Sequence, residues 1–494
     1  MTTTSKSTGA AQVILDDLVG VATLKGSEAK ISDENLEEFR MTIRGDVLTP
    51  HDAGYATVRS AYNAMHPGKP ALVVRPTGTA DVIGAVNFAR ENGLIVAVRG
   101  GGHSVAGLSS VDGGLLLDLA RMSAVDVNPE ARTVRVQGGA LVGDMDHETQ
   151  AFGLVAPAGV VSDTGVAGLT LGGGEGWVRR KYGLSIDNLL SAQVVSADGQ
   201  VRTASADTNP DLFWAIRGGG GNFGVVTSFT FQCHPVGPIV GFAGVFHPVE
   251  DAENVYRQFR DWAKTAPDEI SALIGCTTLP ASEHTPPEIH NTPFILTGAV
   301  FSGDPEEGMK IIQPLRDIGT PLADISGPIP FVGVQAALDE FFQRGTLRSY
   351  WKSTYVEELT DPILDIIVDK ARNRPSERTF VIAFFMGGAI NRVGAEDTAY
   401  RERSANWMVS IDGNWQDASD DDKVISWVRG AWGEVHEHGT GSLYLNFTSV
   451  ADEAVTVGVE SAFGKTNLQR LQEIKAQYDP DNFFRLNNNI SPAS

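Results

Sequence analysis

Between Ala71 and Gly102 the apolar positions change period twice. "ALVV" and "LIVAV" are short β-branched runs of the kind that form buried strands. Between them Val82, Val86 and Ala89 fall on one helical stripe with Ile83 beside it, which predicts a helix with Thr79 as N-cap and Gly93 as its C′ residue. The unit reads as β-α-β, and a triple glycine leaves its second strand. Downstream, "NPEA" reads as a hairpin loop between "AVDV" and "RTVRV", and "ADGQ" repeats the device within "LLSAQVVSADGQVRTAS". A helix, "PDLFWAIR", then leads into "GGGGNFGVVTSFTFQCHP", a second glycine cluster entering an alternating strand.

Around "HPVGPIV" the texture changes. Glycine thins out, helical stretches lengthen, and segments such as "PFILTGAVFSG" and "TFVIAFFMGGAINRV" read as strands of a second α+β domain. The boundary falls near Pro235 to Gly237, giving a first domain over 1–236 (core about 68–236), a second over 237–441 and a terminal segment over 442–494. The tail "YDPDNFFRLNNNISPAS" reads as loop, yet its aromatic and asparagine content implies that it docks against something.

A chain of 494 residues exceeds what one hydrophobic core supports, so two domains are expected, or three if one is small. With 42% apolar and 20% charged residues it reads as soluble and globular. Asp and Glu number 61 against 39 Lys and Arg, a formal charge of −22 that repels nucleic acid and anionic membranes. Two cysteines, Cys233 and Cys276, offer neither a disulfide framework nor a CxxC site. They read as buried thiols or as one structural disulfide. The start of the chain lacks a basic and apolar leader, and no run approaches the ~20 apolar residues of a membrane span, so a cytoplasmic location is expected.

Three glycine clusters carry the chemistry: "RGGGHS" (99–104), "TGVAGLTLGGGEGW" (164–177) and "RGGGGNFGVV" (217–226). Glycine lets backbone N–H groups converge on an anion, so several such loops in one domain point to a ligand containing a diphosphate. No GxxxxGK[ST] follows a strand, and no GxGxxG opens a helix with an acid about twenty residues on, which excludes a P-loop and weakens a dinucleotide fold. The "HEH" at His436 to His438 has neither HExxH spacing nor a third ligand in view.

These clusters, with "VRGGGHSVAGLSSVDGGLLLDL", "DLFWAIRGGGGNFGVVTSF" and "YDPDNFFRLNNNI", resemble the berberine bridge enzyme-like branch of the vanillyl-alcohol oxidase flavoprotein superfamily. The likeness spans the first domain and the tail and is thinner through the middle. It implies a two-domain α+β flavoprotein of the PCMH type. The FAD domain would be built from the first domain plus the tail, under a substrate domain whose antiparallel sheet is flanked by helices. His103 would bond covalently to the 8α-methyl of FAD, with Arg99, Gly100, Gly101, Gly102 and Ser104 along the diphosphate. Thr164, Gly165, Gly168, Gly172, Gly173, Gly174, Gly176, Gly224 and Val226 would approach the cofactor, and Asn487 and Asn489 would reach it from the tail.

Many members of the family add a second tether from a cysteine, and Val161 stands at that place, so attachment through His103 alone is expected. Hydride transfer also needs a base for the adjacent O–H or N–H proton. Tyr444 in "SLYLNF" is the candidate, provided a positive charge lowers its pKa; Lys352 in "YWKS" could supply that charge or be a solvated lysine. Tyr182 is expected as an active-site aromatic or as ordinary packing, and the same choice stands for Tyr350 and Trp351. The resemblance implies an oxidoreductase acting on a small molecule. The leading form is an oxidase taking hydride from an alcohol carbon of a sugar, aromatic alcohol or secondary metabolite and passing electrons to O2. Amine oxidation, a dehydrogenase with another acceptor and a non-enzymatic flavin-binding protein are the alternatives. A monomer or homodimer is expected, with no metal.

Overall fold

The structure is a computed structural model that describes residues 18–449 and 455–493; the start of the chain, on which the leader reading rests, lies outside the described residues. The β-α-β unit consists of strands Leu72–Arg75 and Val96–Arg99 joined by the helix Thr79–Glu91, with Val82, Val86 and Ala89 buried. Gly78, not Thr79, is the N-cap, because the Thr79 hydroxyl instead donates to Gln193 Oε1 across the domain. The two strands do not pair with each other. Leu115–Asp118 lies between them, parallel to both, and Asp46–Leu48 adds an antiparallel edge.

A five-stranded sheet forms the other half of this domain, and both sequence-read hairpins sit in it. Val125–Asn128 pairs with Thr133–Gln137, and Leu189–Val195 with Val201–Ser205. Val225–Gln232, which emerges from the glycine cluster at 217–224, is its central strand. Each glycine cluster therefore ends or begins an element whose apolar side chains lie in a core, which holds the loop backbone in place.

From Ile239 the chain enters an eight-stranded antiparallel sheet. Side-chain alternation divides it into two faces. One packs under the helices Ala252–Ala263, Asp361–Arg372 and Asp421–His436 through residues such as Ile274, Val409 and Ile411. The other carries Trp351, Phe384 and Met408 toward the first domain.

The tail returns to the first domain after a helix, Val455–Tyr478, broken at Gly464 (φ 66°). Phe483 and Phe484 are buried with Leu72, Leu115 and Val225. Lys475, fully buried, donates to the Asn222 carbonyl (2.7 Å), to the Phe484 carbonyl (3.2 Å) and to the Asp479 carboxylate, which itself accepts from the amides of Phe483 and Phe484. A buried ion pair this fully bonded fixes the turn of the tail against the 217–224 loop. Among the described residues no helix is long and apolar enough to cross a membrane.

Candidate active site

The glycine clusters and the inner face of the large sheet line a cavity open to solvent, with about 1810 Å³ of atom-free space, the solvent at its mouth included. Gly101 and Gly165 cross there so closely that a Cβ on Gly101 would lie 2.4 Å from the Gly165 backbone. At Gly168 and Gly221 a Cβ would project into open space on the cavity wall. Among the described residues the amides of Gly101, Gly102, His103 and Ser104 donate to no protein carbonyl. Unsatisfied backbone donors in a trough without side chains are what an anionic ligand requires.

Gly100, Gly101, Gly102, His103, Ser104, Thr164, Gly165, Gly168, Gly172, Gly224, Val226 and Asn487 all line the cavity, as does Val161. Five expected neighbours do not reach the wall. Arg99 is buried with its guanidinium turned away, donating to the carbonyls of Val58, Arg59, Ser60 and Ser109; it holds the loop from behind and does not meet a diphosphate. Gly173 makes room for Tyr400 and Tyr444, Gly174 donates its amide to the Tyr444 hydroxyl (3.0 Å), and Gly176 passes the Ala158 carbonyl where a Cβ would be 1.7 Å away. Asn489 stands back from the wall while its neighbour Asn488 reaches it.

His103 has 12% of its side chain exposed. Its ring stacks on Tyr62 with centroids 4.0 Å apart, and Nε2 lies 3.1 Å from Asp163 Oδ1. Cys233 and Cys276 are buried, unpaired and away from the wall.

The roof of the cavity is built by strand pleat. In Arg348–Val356 the inward residues are Trp351, Ser353 and Tyr355, and the outward ones are Tyr350, Lys352 and Thr354. Lys352 therefore lies on the face opposite Tyr444, with its ammonium 5.4 Å from the Trp432 ring and 5.9 Å from the Tyr350 ring. It cannot supply the charge that Tyr444 needs. Tyr350 fills the helix-side core, while Trp351 lines the cavity.

Tyr182 is also away from the wall, stacked on His234 at 4.0 Å. Tyr444 is on the wall, but burial, with the nearby Glu175 carboxyl, pushes its phenol above the ordinary value. Its oxygen accepts from the Gly174 amide and from Asn446 Nδ2 (2.9 Å), so the hydroxyl proton is left to be donated. Tyr444 is a neutral donor here, and the expectation that it is the base is withdrawn.

Two acids that sequence reasoning missed line the same cavity. Asp412, on the strand Trp407–Trp415, sits opposite Trp351 on one side and Phe380 on the other. Its carboxyl is buried, accepts from the Ser410 hydroxyl, and is pushed up to about 7 by burial. An acid inside the apolar run "WMVSIDGNW" was the available signal. Glu175 is buried beside Arg179 (3.3 Å); burial raises its pKa against the pull of that guanidinium. Arg179 also donates to the carbonyls of Gly176, Ala272 and Phe385, joining the glycine loop to the large sheet. The same cavity is lined by Trp351, Phe342, Phe384 and Phe447, with the Trp351 ring 5.5 Å from Phe342 and 5.8 Å from Phe447.

A profile of FAD-binding domains matches residues 70–205, and one described as berberine and berberine like matches 444–491. An FAD-linked oxidoreductase of Dictyostelium discoideum is 31% identical over 92% of this chain and 97% of its own length. The chain belongs to the berberine bridge enzyme-like family of FAD-linked oxidoreductases. The (R)-6-hydroxynicotine oxidase of Paenarthrobacter nicotinovorans is 29% identical over 92% of this chain and 98% of its own.

Among solved structures, 6-hydroxy-D-nicotine oxidase of Arthrobacter nicotinovorans superposes with TM-score 0.80 at 28% identity, over 92% of this chain and 99% of that one. BBE-like 1 of Physcomitrella patens does so with TM-score 0.81 at 26%, over 93% and 99%. This berberine bridge enzyme-like protein thus has the two-domain α+β fold of the vanillyl-alcohol oxidase flavoproteins, and FAD is its cofactor. Its bare amides and glycine walls fit the diphosphate of that cofactor, and Asn487 reaches the same space from the tail.

Proposed function

We propose that the protein is an oxidase that removes hydride from the carbinol carbon of an apolar, ring-bearing alcohol, with FAD tethered through His103 alone. Bound FAD supplies hydride acceptance at N5 and returns the electrons to O2 as peroxide. The observation that carries the reading is Asp412, a carboxyl with a pKa of about 7 within an aromatic-walled cavity. A base poised near the working pH is ionised often enough to accept the substrate proton and still strong enough to hold it. The Tyr444 hydroxyl donates to substrate from the glycine side, and the rings of Trp351, Phe342, Phe384 and Phe447 hold an apolar ring and exclude water.

These walls argue against a sugar, which would need a hydrogen-bond partner for each hydroxyl. The likeness to chitooligosaccharide oxidase, at 24% identity, bears on the fold alone. A second reading is oxidation of an amine carbon. It is favoured by aromatic rings lining the same cavity as the buried Asp412, which suit a cation, and by the whole-length similarity to a hydroxynicotine oxidase.

The test is peroxide release from a panel of aromatic alcohols, aromatic amines and oligosaccharides. Turnover of aromatic alcohols above the rest supports the first reading, and preference for amines the second. Turnover confined to oligosaccharides overturns both, and flavin bleaching without peroxide shows a dehydrogenase.

A further inference from the structure

We propose that Asp163, gripped by Arg344, is the positioning residue that turns His103 for covalent attachment and reserves its Nδ1 for the bond to the flavin. The inference rests on the reading that His103 carries the tether, and goes beyond it by naming what prepares the imidazole.

Nε2 of His103 and Oδ1 of Asp163 face each other at 3.1 Å, a close approach outside hydrogen-bond alignment, and both atoms are buried without a hydrogen-bond partner. The second Asp163 oxygen is held by Arg344 Nε at 3.3 Å, and the same guanidinium donates to the Asp163 carbonyl at 3.1 Å. One residue earlier, the Ser162 amide and hydroxyl both donate to Asp339. The far face of the imidazole is set by Tyr62, whose amide donates to the Gly102 carbonyl (3.0 Å) and whose own carbonyl accepts from Gly345 (2.8 Å). Residues 339–345 belong to the second domain, so that domain holds both the carboxylate and the ring against which His103 rests.

The electrostatics agree. Burial pushes the Asp163 carboxyl up, but its contacts with His103 and Arg344 and the Arg344 charge outweigh it and hold the group below the ordinary carboxylate range. An ionised carboxylate on one imidazole nitrogen keeps the N–H there and leaves the lone pair on the other, as second-shell carboxylates do for histidines that bind metals. The Nδ1 lone pair then forms the C–N bond to the 8α carbon. One methyl C–H bond breaks, the imidazole N–H proton departs past Asp163, and the electron pair released reduces the flavin. Dioxygen removes that pair, so the sum is FAD, histidine and O2 going to histidyl-FAD and hydrogen peroxide. Because Arg344 and Gly345 come from the second domain, attachment requires the two domains to be docked.

The experiment compares Asp163→Ala, Asp163→Asn, Asp163→Glu and Arg344→Gln with the unaltered protein expressed under the same conditions. Flavin fluorescence of the denatured band measures the tether, and absorbance of the native protein measures total bound flavin. The tethered fraction should fall at least ~10-fold in Asp163→Ala, the scale of losing an orienting second-shell carboxylate, with total flavin retained. Arg344→Gln should fall less, and Asp163→Glu should restore part of the tether. Peptide analysis of the unaltered protein should find the bond at Nδ1.

Full tethering in Asp163→Ala and Asp163→Asn, parallel loss of tethered and total flavin, or a bond at Nε2 would each overturn the proposal. If the Asp163 variants do not fold, Arg344→Gln decides it, and tethering at the unaltered rate overturns it. Covalent flavin in His103→Ala sinks the underlying reading instead.

Discussion

The floor and the roof of the cavity are made by opposite means. The floor is backbone: three glycine loops line it, the 101–104 amides donate to no protein carbonyl, and each loop's residues are neighbours in sequence. The roof is side chain: Trp351, Asp412 and Phe384 come from three separate strands and share one face only because those strands pair in one register. A floor of this kind tolerates change in what surrounds it but not in its glycines, while a roof of this kind can change its chemistry by one substitution. The contrast explains why a cofactor bed can stay recognisable while the substrate surface above it varies.

The comparison is tested most severely at Asp412. Asp412→Asn should lower kcat by about 10²- to 10⁴-fold, the usual worth of a positioned base, while bound flavin stays at the unaltered level. Stopped-flow flavin reduction measures the first quantity and absorbance the second; flavin loss in parallel would mean that roof and floor are not separate. In the parent protein kcat/KM should rise with pH through about 7, and Asp412→Asn should abolish that limb.

Lys475 tests the floor. Lys475→Met leaves Asp479 buried without its cation and should cost about 3–5 kcal/mol, read as a lowered Tm together with weaker flavin retention. A Tm within a degree of the parent would show that the tail is held without the pair.

Asp412 also carries a stability signature. Its folded pKa, near 7, lies above its unfolded value, so its contribution is complete below about pH 4 and is lost as pH rises through 7. The loss should be roughly 4 kcal/mol, and Asp412→Asn should remove that slope from denaturant titrations.

The smallest effects belong to residues that are near the site in sequence and away from it in space. Lys352→Met and Tyr182→Phe should each change kcat by less than about threefold, as expected of positions outside the cavity. A change in the pH profile of Lys352→Met would restore Lys352 to the site.

The hairpins at "NPEA" and "ADGQ", the helix of the β-α-β unit and the glycine clusters were all legible because each is specified by residues within a few positions of one another. Arg99 shows the limit even there. Its place beside the glycines was readable, but the direction of its guanidinium depends on the carbonyls of Val58 to Ser60, which arrive from another segment. Lys352 shows the same limit in a strand. Local pattern could not say which face of the pleat it occupies, and a shift of one residue would exchange it with Ser353.

By itself the sequence determined the glycine runs that line the cavity, the α+β character of both domains and the valine, in place of a cysteine, at position 161. Glycine runs and hydrophobic periods act on the local backbone. The tertiary structure alone decided that Asp412 faces the cavity and Lys352 does not, that Tyr444 is a donor, and that Asp163 meets His103. Those outcomes depend on burial and on pairing between distant strands and loops, which set both the direction of a side chain and the pKa it carries.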